Sequence, residues 1–358
     1  MQYSVHSLGA VAHAPVGGRG GEDVFGPYEP VPGWPRPVEP GMAPARASAV
    51  VAESPDRVIV GSHFGLVPEP PRDAVWGRDV YYAEDGPFGP PFAAVRSPRA
   101  THTNHIVTFD RTGSVIDAWI WRDALFGKVD RVQVNPYDPQ RAVWVTDGLK
   151  RRLWKFSADG GRILLEISPD AVADSDESPW TGHDLAWLPG GEFYTGGKQR
   201  VDRFTADGEH VWSLAARGDG PGEFADIHGL VVDTAGDRIY VGDRANRRVQ
   251  VFDLDWTFVD EWPNLLAIFS MRLTRDGHLW IGDGVTQKFL KYDRTGRLVA
   301  SWGTFGVAPG CIFGPHGFDV DDENSLYVAE NYNDRVQKLR VRDDVADDDP
   351  RIIGPLVP

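Results

Sequence analysis

The sequence predicts an all-β fold, a six-bladed β-propeller, and three observations support this prediction. A short pattern recurs six times, consisting of an apolar run, a turn rich in Gly and Asp, and further β-rich runs. One such unit is a small antiparallel sheet that cannot bury both faces alone, whereas several units arranged around an axis can. The runs are short and rich in Val, Ile, Tyr, Phe and Trp, and no amphipathic helical stretch of useful length competes with them.

The fourth unit, residues 220–252, is the clearest copy of the pattern. It begins with the interblade turn Gly220-Pro221-Gly222. Throughout the chain, turns such as Ala206-Asp207-Gly208 separate the β-rich runs, as hairpins require. The predicted second strands of the six units begin, in chain order, at Arg57, Ala142, Glu192, Arg238, His278 and Ser325.

The predicted propeller spans residues 46–341, between a Gly/Pro-rich arm (1–45) and an acidic C-terminal tail (342–358). An insertion, residues 63–103, interrupts the first unit. It follows a second strand, so it is expected at the mouth of the channel, where it would act as a lid; a surface flap that packs against a neighbouring subunit is the alternative.

Composition narrows the function classes. The 358 residues carry a formal net charge of -15, which disfavours nucleic acid and anionic lipid as partners. The single cysteine, Cys311, excludes an internal disulfide and a Cys-rich metal site. The chain does not begin with a basic segment followed by an apolar one, and no run approaches the length of a membrane span. A cytoplasmic protein of undetermined oligomeric state, which does not bind membranes, is expected.

The first residues of the innermost strands form a ring at one mouth, because these strands all run in the same direction along the axis. Aligned on the fourth unit, the ring positions are Ala47, Asp130, His183, His228, Phe269 and His316. Three imidazoles and one carboxylate from different blades can converge on one point, although a merely polar ring is the alternative. Catalytic zinc takes three N/O ligands and keeps one position open, whereas two His and one carboxylate would also suit Fe(II) or Mn(II).

The units resemble the NHL-repeat family of propellers over residues from about 45 to 341, most strongly in 220–252 and 313–339. Within that family the layout is similar to the peptidyl-hydroxyglycine amidating lyase domain. That domain also has a long insertion in its first blade, and it holds a catalytic zinc on three His at the starts of innermost strands.

The resemblance implies roles for particular residues. His228 and His316 match two of the zinc ligands of the lyase, and Asp130 stands at the third position. Arg244 matches the assisting arginine, and the family's tyrosine falls near Lys198. His183 has no counterpart among those ligands, so it is either a further ligand, a base or a substrate contact.

Further candidate catalytic residues are expected at the same mouth. Cations there can bind a substrate carboxylate or a developing oxyanion. The candidates are Arg244, Lys198, His63 and Tyr332. By contrast, the carboxylates that recur at the ends of second strands are expected to hold turns by accepting backbone N–H groups; they are Asp147, Asp243, Asp283 and Glu330.

The sequence thus favours a metal-dependent enzyme of the lyase or hydrolase type that acts on a small organic substrate at the mouth of the channel. Zinc is the expected divalent metal, with iron or manganese as alternatives, and the reaction type follows from the resemblance. A non-catalytic NHL propeller that binds a peptide or protein partner is the competing hypothesis.

Overall fold

The computed structural model of the protein describes residues 25–68, 101–172 and 179–357. Within these ranges, six four-stranded antiparallel sheets are present, together with one two-stranded sheet. The innermost strands contact one another in a closed circle, in which the sixth sheet meets the first. The predicted all-β, six-bladed β-propeller is therefore confirmed.

Each blade consists of four strands that follow one another outward from the axis. The strands of blades 1 to 3 are β3 (Ala47–Ser54), β4 (Arg57–Ser62), β6 (Ile106–Phe109) and β7 (Val115–Ala118); β8 (Val129–Val134), β9 (Val143–Asp147), β10 (Arg152–Phe156) and β11 (Ile163–Ile167); and β12 (Asp184–Trp187), β13 (Phe193–Gly197), β14 (Arg200–Phe204) and β15 (His210–Ala215). Among the described residues, two 3₁₀ helices lie between blades, at Ile120–Leu125 and Pro169–Ala171.

Blades 4 to 6 repeat the arrangement, except that the outermost strand of blade 6 comes from the N-terminal arm. Their strands are β16 (Ile227–Asp233), β17 (Arg238–Asp243), β18 (Arg248–Phe252) and β19 (Phe258–Trp262); β20 (Ile268–Leu273), β21 (Leu279–Asp283), β22 (Lys288–Tyr292) and β23 (Leu298–Trp302); and β24 (Pro315–Val320), β25 (Leu326–Glu330), β26 (Arg335–Val341) and β1 (Tyr28–Pro30).

The core lies between neighbouring blades, where the apolar faces of two sheets meet. Between blades 3 and 4, for example, Ala186 and Tyr194 pack against Ile227 and Leu230. A Cβ atom on Gly196 would lie 2.9 Å from the Ile227 side chain, so glycine is needed for this close approach. Burying a side chain such as Leu or Ile contributes about 1.5–3 kcal/mol, and each blade supplies such residues to both of its neighbours.

Blades 6 and 1 close the ring through hydrogen bonds as well as packing. The N–H of Ala52 donates to Oδ2 of Asp319 at 2.8 Å, and the N–H of Arg46 donates to Oδ1 of Asp334 at 2.6 Å. The segment after residue 341 also packs back on the propeller, since Ile353 is buried among the apolar residues of blades 5 and 6.

Part of the predicted insertion 63–103 is visible. Within it, β5 (Leu66–Pro68) pairs with β2 (Met42–Pro44) outside the blades. Residues 69–100 of the insertion and residues 1–24 of the arm lie outside the described residues, so the lid and the flap both stay predictions. In the described ranges, no helix has the length and apolar character needed to cross a membrane.

Asp334 predicts a pH dependence of stability. Burial raises the pKa of its carboxyl from 3.8 to about 6, because the ionised form is poorly solvated. The folded protein thus binds this proton more tightly than the unfolded chain, and the resulting stabilisation is lost as the pH rises from about 4 to 6. The variant Asp334→Asn has no carboxyl group to ionise, so it does not lose stability in this way as the pH rises. Asn tolerates the positive φ of 48° at this position and keeps an acceptor oxygen for the N–H of Arg46.

Urea unfolding at several pH values measures this difference. Relative to wild type, the free energy of unfolding of Asp334→Asn is expected to rise with pH by up to about 3 kcal/mol between pH 4 and 7. A difference that stays constant with pH would contradict this account of Asp334.

Candidate functional site

Five of the six innermost strands contain a β-bulge at the same place. In β3, β8, β16, β20 and β24, the register with the second strand shifts one residue after the strand begins. A bulge leaves its extra residue unpaired and re-aims that side chain. The bulged residues are Ser48, Asp130, His228, Phe269 and His316. In blade 1 the ring position is therefore Ser48 and not Ala47, because Ala47 still pairs with Ser62.

Three histidines converge at this mouth. His183 lies directly before β12, and its ring centroid is 4.2 Å from that of His228 and 6.2 Å from that of His316. The rings of His228 and His316 are 5.0 Å apart. One ring nitrogen from each residue lies within 4.8 Å of the other two, a spacing that a single metal ion can bridge. We call these residues the His trio.

Backbone carbonyls orient two members of the His trio. Nδ1 of His228 lies 3.0 Å from the carbonyl oxygen of Phe269, and Nδ1 of His316 lies 2.8 Å from that of Ser48. An Nδ1–H group that donates to a carbonyl leaves Nε2 with a lone pair for a metal, which is a common arrangement around metal-bound histidine.

The His trio is neutral near neutral pH. Burial lowers the pKa of each imidazole well below its usual range, and the positive charge of Arg131 adds to this effect at all three. His228 and His316 are almost fully buried, whereas the side chain of His183 keeps 14% of its exposure and faces the opening. Neutral imidazole is the form that binds a metal, so the donor set fits a divalent cation.

Asp130 lies beside the His trio and is not part of it. Its Oδ1 is 2.5 Å from Nζ of Lys128 and 3.8 Å from Nε2 of His183, and its Oδ2 accepts the N–H of Gly148 at 2.8 Å. Burial alone would raise the pKa of Asp130, but Lys128 and the neighbouring imidazoles hold it well below its usual range. The carboxylate is ionised, and the residue that neutralises it, Lys128, was not predicted from the sequence.

His63 reaches the same place from the end of the second strand in blade 1. Its Nε2 lies 3.3 Å from Oδ1 of Asp130, and its ring centroid is 5.1 Å from that of His316. Burial, together with Lys128, lowers the pKa of His63 to about 3. His63 is therefore a neutral, buried imidazole between Asp130 and the His trio.

The other candidate catalytic residues surround the opening. Arg244 forms hydrogen bonds with Asp226, and its guanidinium lies 5.7 Å from the ring centre of Phe269. Lys198 is half-exposed, with Nζ 3.9 Å from a carboxylate oxygen of Asp226. The ring of Tyr332 packs against that of Phe269, with 5.9 Å between centroids. Among these residues, Arg244 lies close enough to the His trio to lower the pKa of His228.

The repeated carboxylates hold the loops that lead to the ring, as predicted. Asp243 accepts the N–H groups of Ala225 and Asp226, directly before β16, at 3.0 and 3.2 Å. Glu330 accepts the N–H of Phe313, before β24, at 2.8 Å. Asp147 and Asp283 make the equivalent bonds in blades 2 and 5. These carboxylates therefore position the bulged residues through backbone N–H groups.

Arg131 lies on the axis and was not predicted from the sequence. Its guanidinium donates to three carbonyl oxygens of other blades, those of Phe269 (2.7 Å), His316 (3.1 Å) and His228 (3.2 Å). It also reaches the Ser48 carbonyl at 3.4 Å, and its Nε is 3.5 Å from Oδ1 of Asp184. Arg131 thus links innermost strands from all six blades.

Arg131 also constrains the tautomer of His316, because its Nη1 lies 2.8 Å from Nδ1 of that ring. Two N–H groups cannot point at each other, so Nδ1 either accepts from Arg131 or donates to Ser48. If Nδ1 of His316 carries the proton, it donates to the Ser48 carbonyl, and Arg131 then donates to the carbonyl oxygen of His316.

The axial position of Arg131 has a signal in the sequence. The equivalent positions in blades 1, 4, 5 and 6 are small residues, which leave space on the axis for one long side chain: Ala49, Gly229, Ser270 and Gly317.

The fold and the His trio define a class of protein, a six-bladed propeller with a histidine-lined axial mouth. A family model described as a 6-bladed beta-propeller matches residues 198–280. The chain is 35% identical over 228 residues to human NHL repeat-containing protein 3, covering 56% of this chain and 62% of that protein. The mouse protein of the same name is 31% identical over 270 residues, covering 67% of this chain and 74% of that protein.

The chain therefore belongs to the NHL-repeat family of propellers. Solved structures agree on the fold. A streptogramin B lyase superposes with a TM-score of 0.54 at 13% identity, covering 84% of this chain and 95% of that one. Virginiamycin B lyase from Staphylococcus aureus gives 0.53 at 12% identity, covering 83% and 96%. At such identities the likeness concerns the fold alone.

Replacing Arg131 should strongly destabilise the fold. Arg131→Met leaves several buried carbonyls without a donor and the buried Asp184 without its cation. Breaking a buried ion pair in this way costs about 3–5 kcal/mol of unfolding free energy. Urea denaturation measures this cost.

Arg152→Met is the control. Arg152 pairs at 3.2 Å with the exposed Glu166, so its loss should cost less than about 1 kcal/mol. Equal effects of the two substitutions would contradict the central role of Arg131.

Proposed function

We propose that this chain is a metal-dependent enzyme of the lyase or hydrolase type, which binds a divalent cation through His183, His228 and His316. The observation that carries the proposal is the convergence of three ring nitrogens, from three blades, within 4.8 Å. The anchored Nδ1 atoms and the neutral state of the rings support it further. Zinc is the first candidate because it favours neutral imidazole ligands with an open fourth position.

A divalent cation at this place would polarise an oxygen of a small organic substrate. Arg244 is suited to bind an anionic group of that substrate, with Lys198 and Tyr332 at the rim. Asp130, which is ionised, can accept a hydrogen bond from His63 at Oδ1, where Nε2 of His63 lies 3.3 Å away, and so orient that imidazole. The burial of His63 and Asp130 strengthens their electrostatic interactions relative to water.

The reaction type rests on the resemblance to the peptidyl-hydroxyglycine amidating lyase domain. That domain uses three His at the starts of innermost strands, and the present chain has three at the equivalent level. The third imidazole differs in origin, because blade 2 carries Asp130 and blade 3 supplies His183. This change of ligand position distinguishes the proposed site from that of the lyase and leaves Asp130 available for another role.

Metal analysis of the purified protein tests the proposal. Inductively coupled plasma mass spectrometry is expected to find about one transition-metal ion per chain, as a three-ligand site requires. The double variant His228→Ala/His316→Ala should lose the metal and keep the circular dichroism spectrum. His278→Ala is the matched control, since His278 lies on blade 5 beside Asp276, and it should keep the metal.

Activity is tested with and without metal. An N-acyl-α-hydroxyglycine probes lyase chemistry, which would release an amide and glyoxylate, and a 4-nitrophenyl ester probes hydrolase chemistry. Turnover should disappear on chelation and return with added zinc. A protein that neither carries metal nor gains thermal stability from it would support the non-catalytic peptide-binding or protein-binding alternative.

Two further substitutions test whether His183 or Asp130 is the third metal ligand. His183→Ala should weaken zinc affinity by more than the roughly 10–100-fold that loss of an outer partner causes, because it removes a direct ligand. Asp130→Asn, which keeps the acceptor for Gly148, should stay within that range. Isothermal titration with zinc measures both. The reverse order would favour the set of His228, His316 and Asp130.

A further inference from the structure

The opposite end of the axial channel opens into a cavity of about 510 Å³. This volume lies in the range of small-molecule sites. The innermost strands continue past Arg131 toward this end, and their next axis-facing residues line the cavity. They are Val51, Gln133, Ala186, Val231, Arg272 and Asp319. This ring combines three apolar side chains with three polar ones.

The cavity is separate from the mouth that holds the His trio. Arg131 occupies the axis between the two, with contacts to innermost strands of all six blades. The C-terminal segment 355–357 forms part of the cavity wall. It is fixed there because the N–H of Val357 donates to the carbonyl of Leu273 at 2.8 Å and that of Arg275 donates to Pro355 at 2.9 Å.

Two polar groups in the ring lack partners suited to their charge or buried position. The guanidinium of Arg272 donates to the carbonyl of Met271 at 3.0 Å and forms no ion pair with a carboxylate among the described residues. Oε1 of Gln133 is buried and has no hydrogen-bond partner among the described residues. A buried acceptor without a donor costs about 1–3 kcal/mol, so a ligand that supplies a donor would recover free energy.

Asp319 lies in the blade next to Arg272. Its oxygens accept the backbone N–H groups of Ala52 and Val320 at 2.8 and 2.9 Å. Each oxygen keeps a further lone pair, and Asp319 and Arg272 interact electrostatically without forming a direct ion pair. The ring therefore presents a cation, a carboxylate and a buried amide oxygen together with three apolar side chains.

We infer that this cavity is a second binding site, for a small zwitterion with a carboxylate and an ammonium group, such as an apolar α-amino acid. The carboxylate pairs with Arg272. The ammonium group donates to Asp319 and to Oε1 of Gln133, while the apolar part packs against Val51, Ala186 and Val231. The site is independent of the metal chemistry proposed for the other mouth.

Isothermal titration with L-leucine as the probe tests this inference. Two analogues lack one group each: 4-methylpentanoate has no amine and 3-methylbutylamine has no carboxylate. L-Leucine is expected to bind at least about tenfold more tightly than either, a difference of about 1.4 kcal/mol. Equal binding of all three would mean that only apolar contacts matter and would overturn the assignment.

Substitutions test which side chain binds each charged group of the amino acid. Arg272→Gln and Asp319→Asn should each weaken L-leucine binding at least about tenfold. Asn can still accept the N–H of Ala52, so the second variant keeps that link between blades. Arg297→Gln is the matched control, since its side chain is 74% exposed, and it should leave binding unchanged.

The metal-site variant distinguishes the two mouths. His228→Ala/His316→Ala should bind L-leucine as wild type does, whether or not the proposed metal site exists. Loss of binding in that variant would place the amino acid at the His trio and refute the inference. No binding by wild type up to about 10 mM would refute it as well.

Discussion

Burial between blades is the constraint on which the whole structure depends. A four-stranded sheet with two apolar faces is stable only when both faces are covered, and here each face is covered by the next blade around the axis. Ring closure is therefore required for the stability of the fold. It is the step that gives the first and last blades a partner, and the bonds from Ala52 to Asp319 and from Arg46 to Asp334 fix it.

Ring closure brings polar residues to the axis, and two sets of hydrogen bonds hold them in place. The carboxylates at the ends of second strands hold the preceding loops by their N–H groups, so each bulged residue enters the mouth at a defined level. Arg131 satisfies the carbonyl groups that converge further along the axis. A buried cation close to the proposed cation-binding site is unfavourable, and Asp184 and Asp130 lie near enough to offset part of that repulsion.

The two mouths of the channel have different chemistry because they use different rings of the same strands. The ring at one mouth carries the His trio, whose members are neutral; His228 and His316 are buried and His183 is partly exposed. The ring beyond Arg131 carries Arg272 and Asp319 among small apolar residues. One repeat architecture can thus present side-chain rings of unrelated chemistry, because each blade contributes one side chain to every ring and the blades differ in sequence.

Much of the fold and part of the site could be predicted from the sequence. The repeat determined six blades, since the apolar alternation and the Gly/Asp turns are local signals, and the phase of the repeat placed His183, His228 and His316 at one level. The sequence also identified the turn-holding carboxylates, of which Asp243 is an example. It did not determine the partners of Asp130, the ring residue Ser48 or the axial position of Arg131. Those depend on the bulges and on distances across the axis, which only the tertiary structure decided, because residues of different blades meet through ring closure and not through their spacing along the chain.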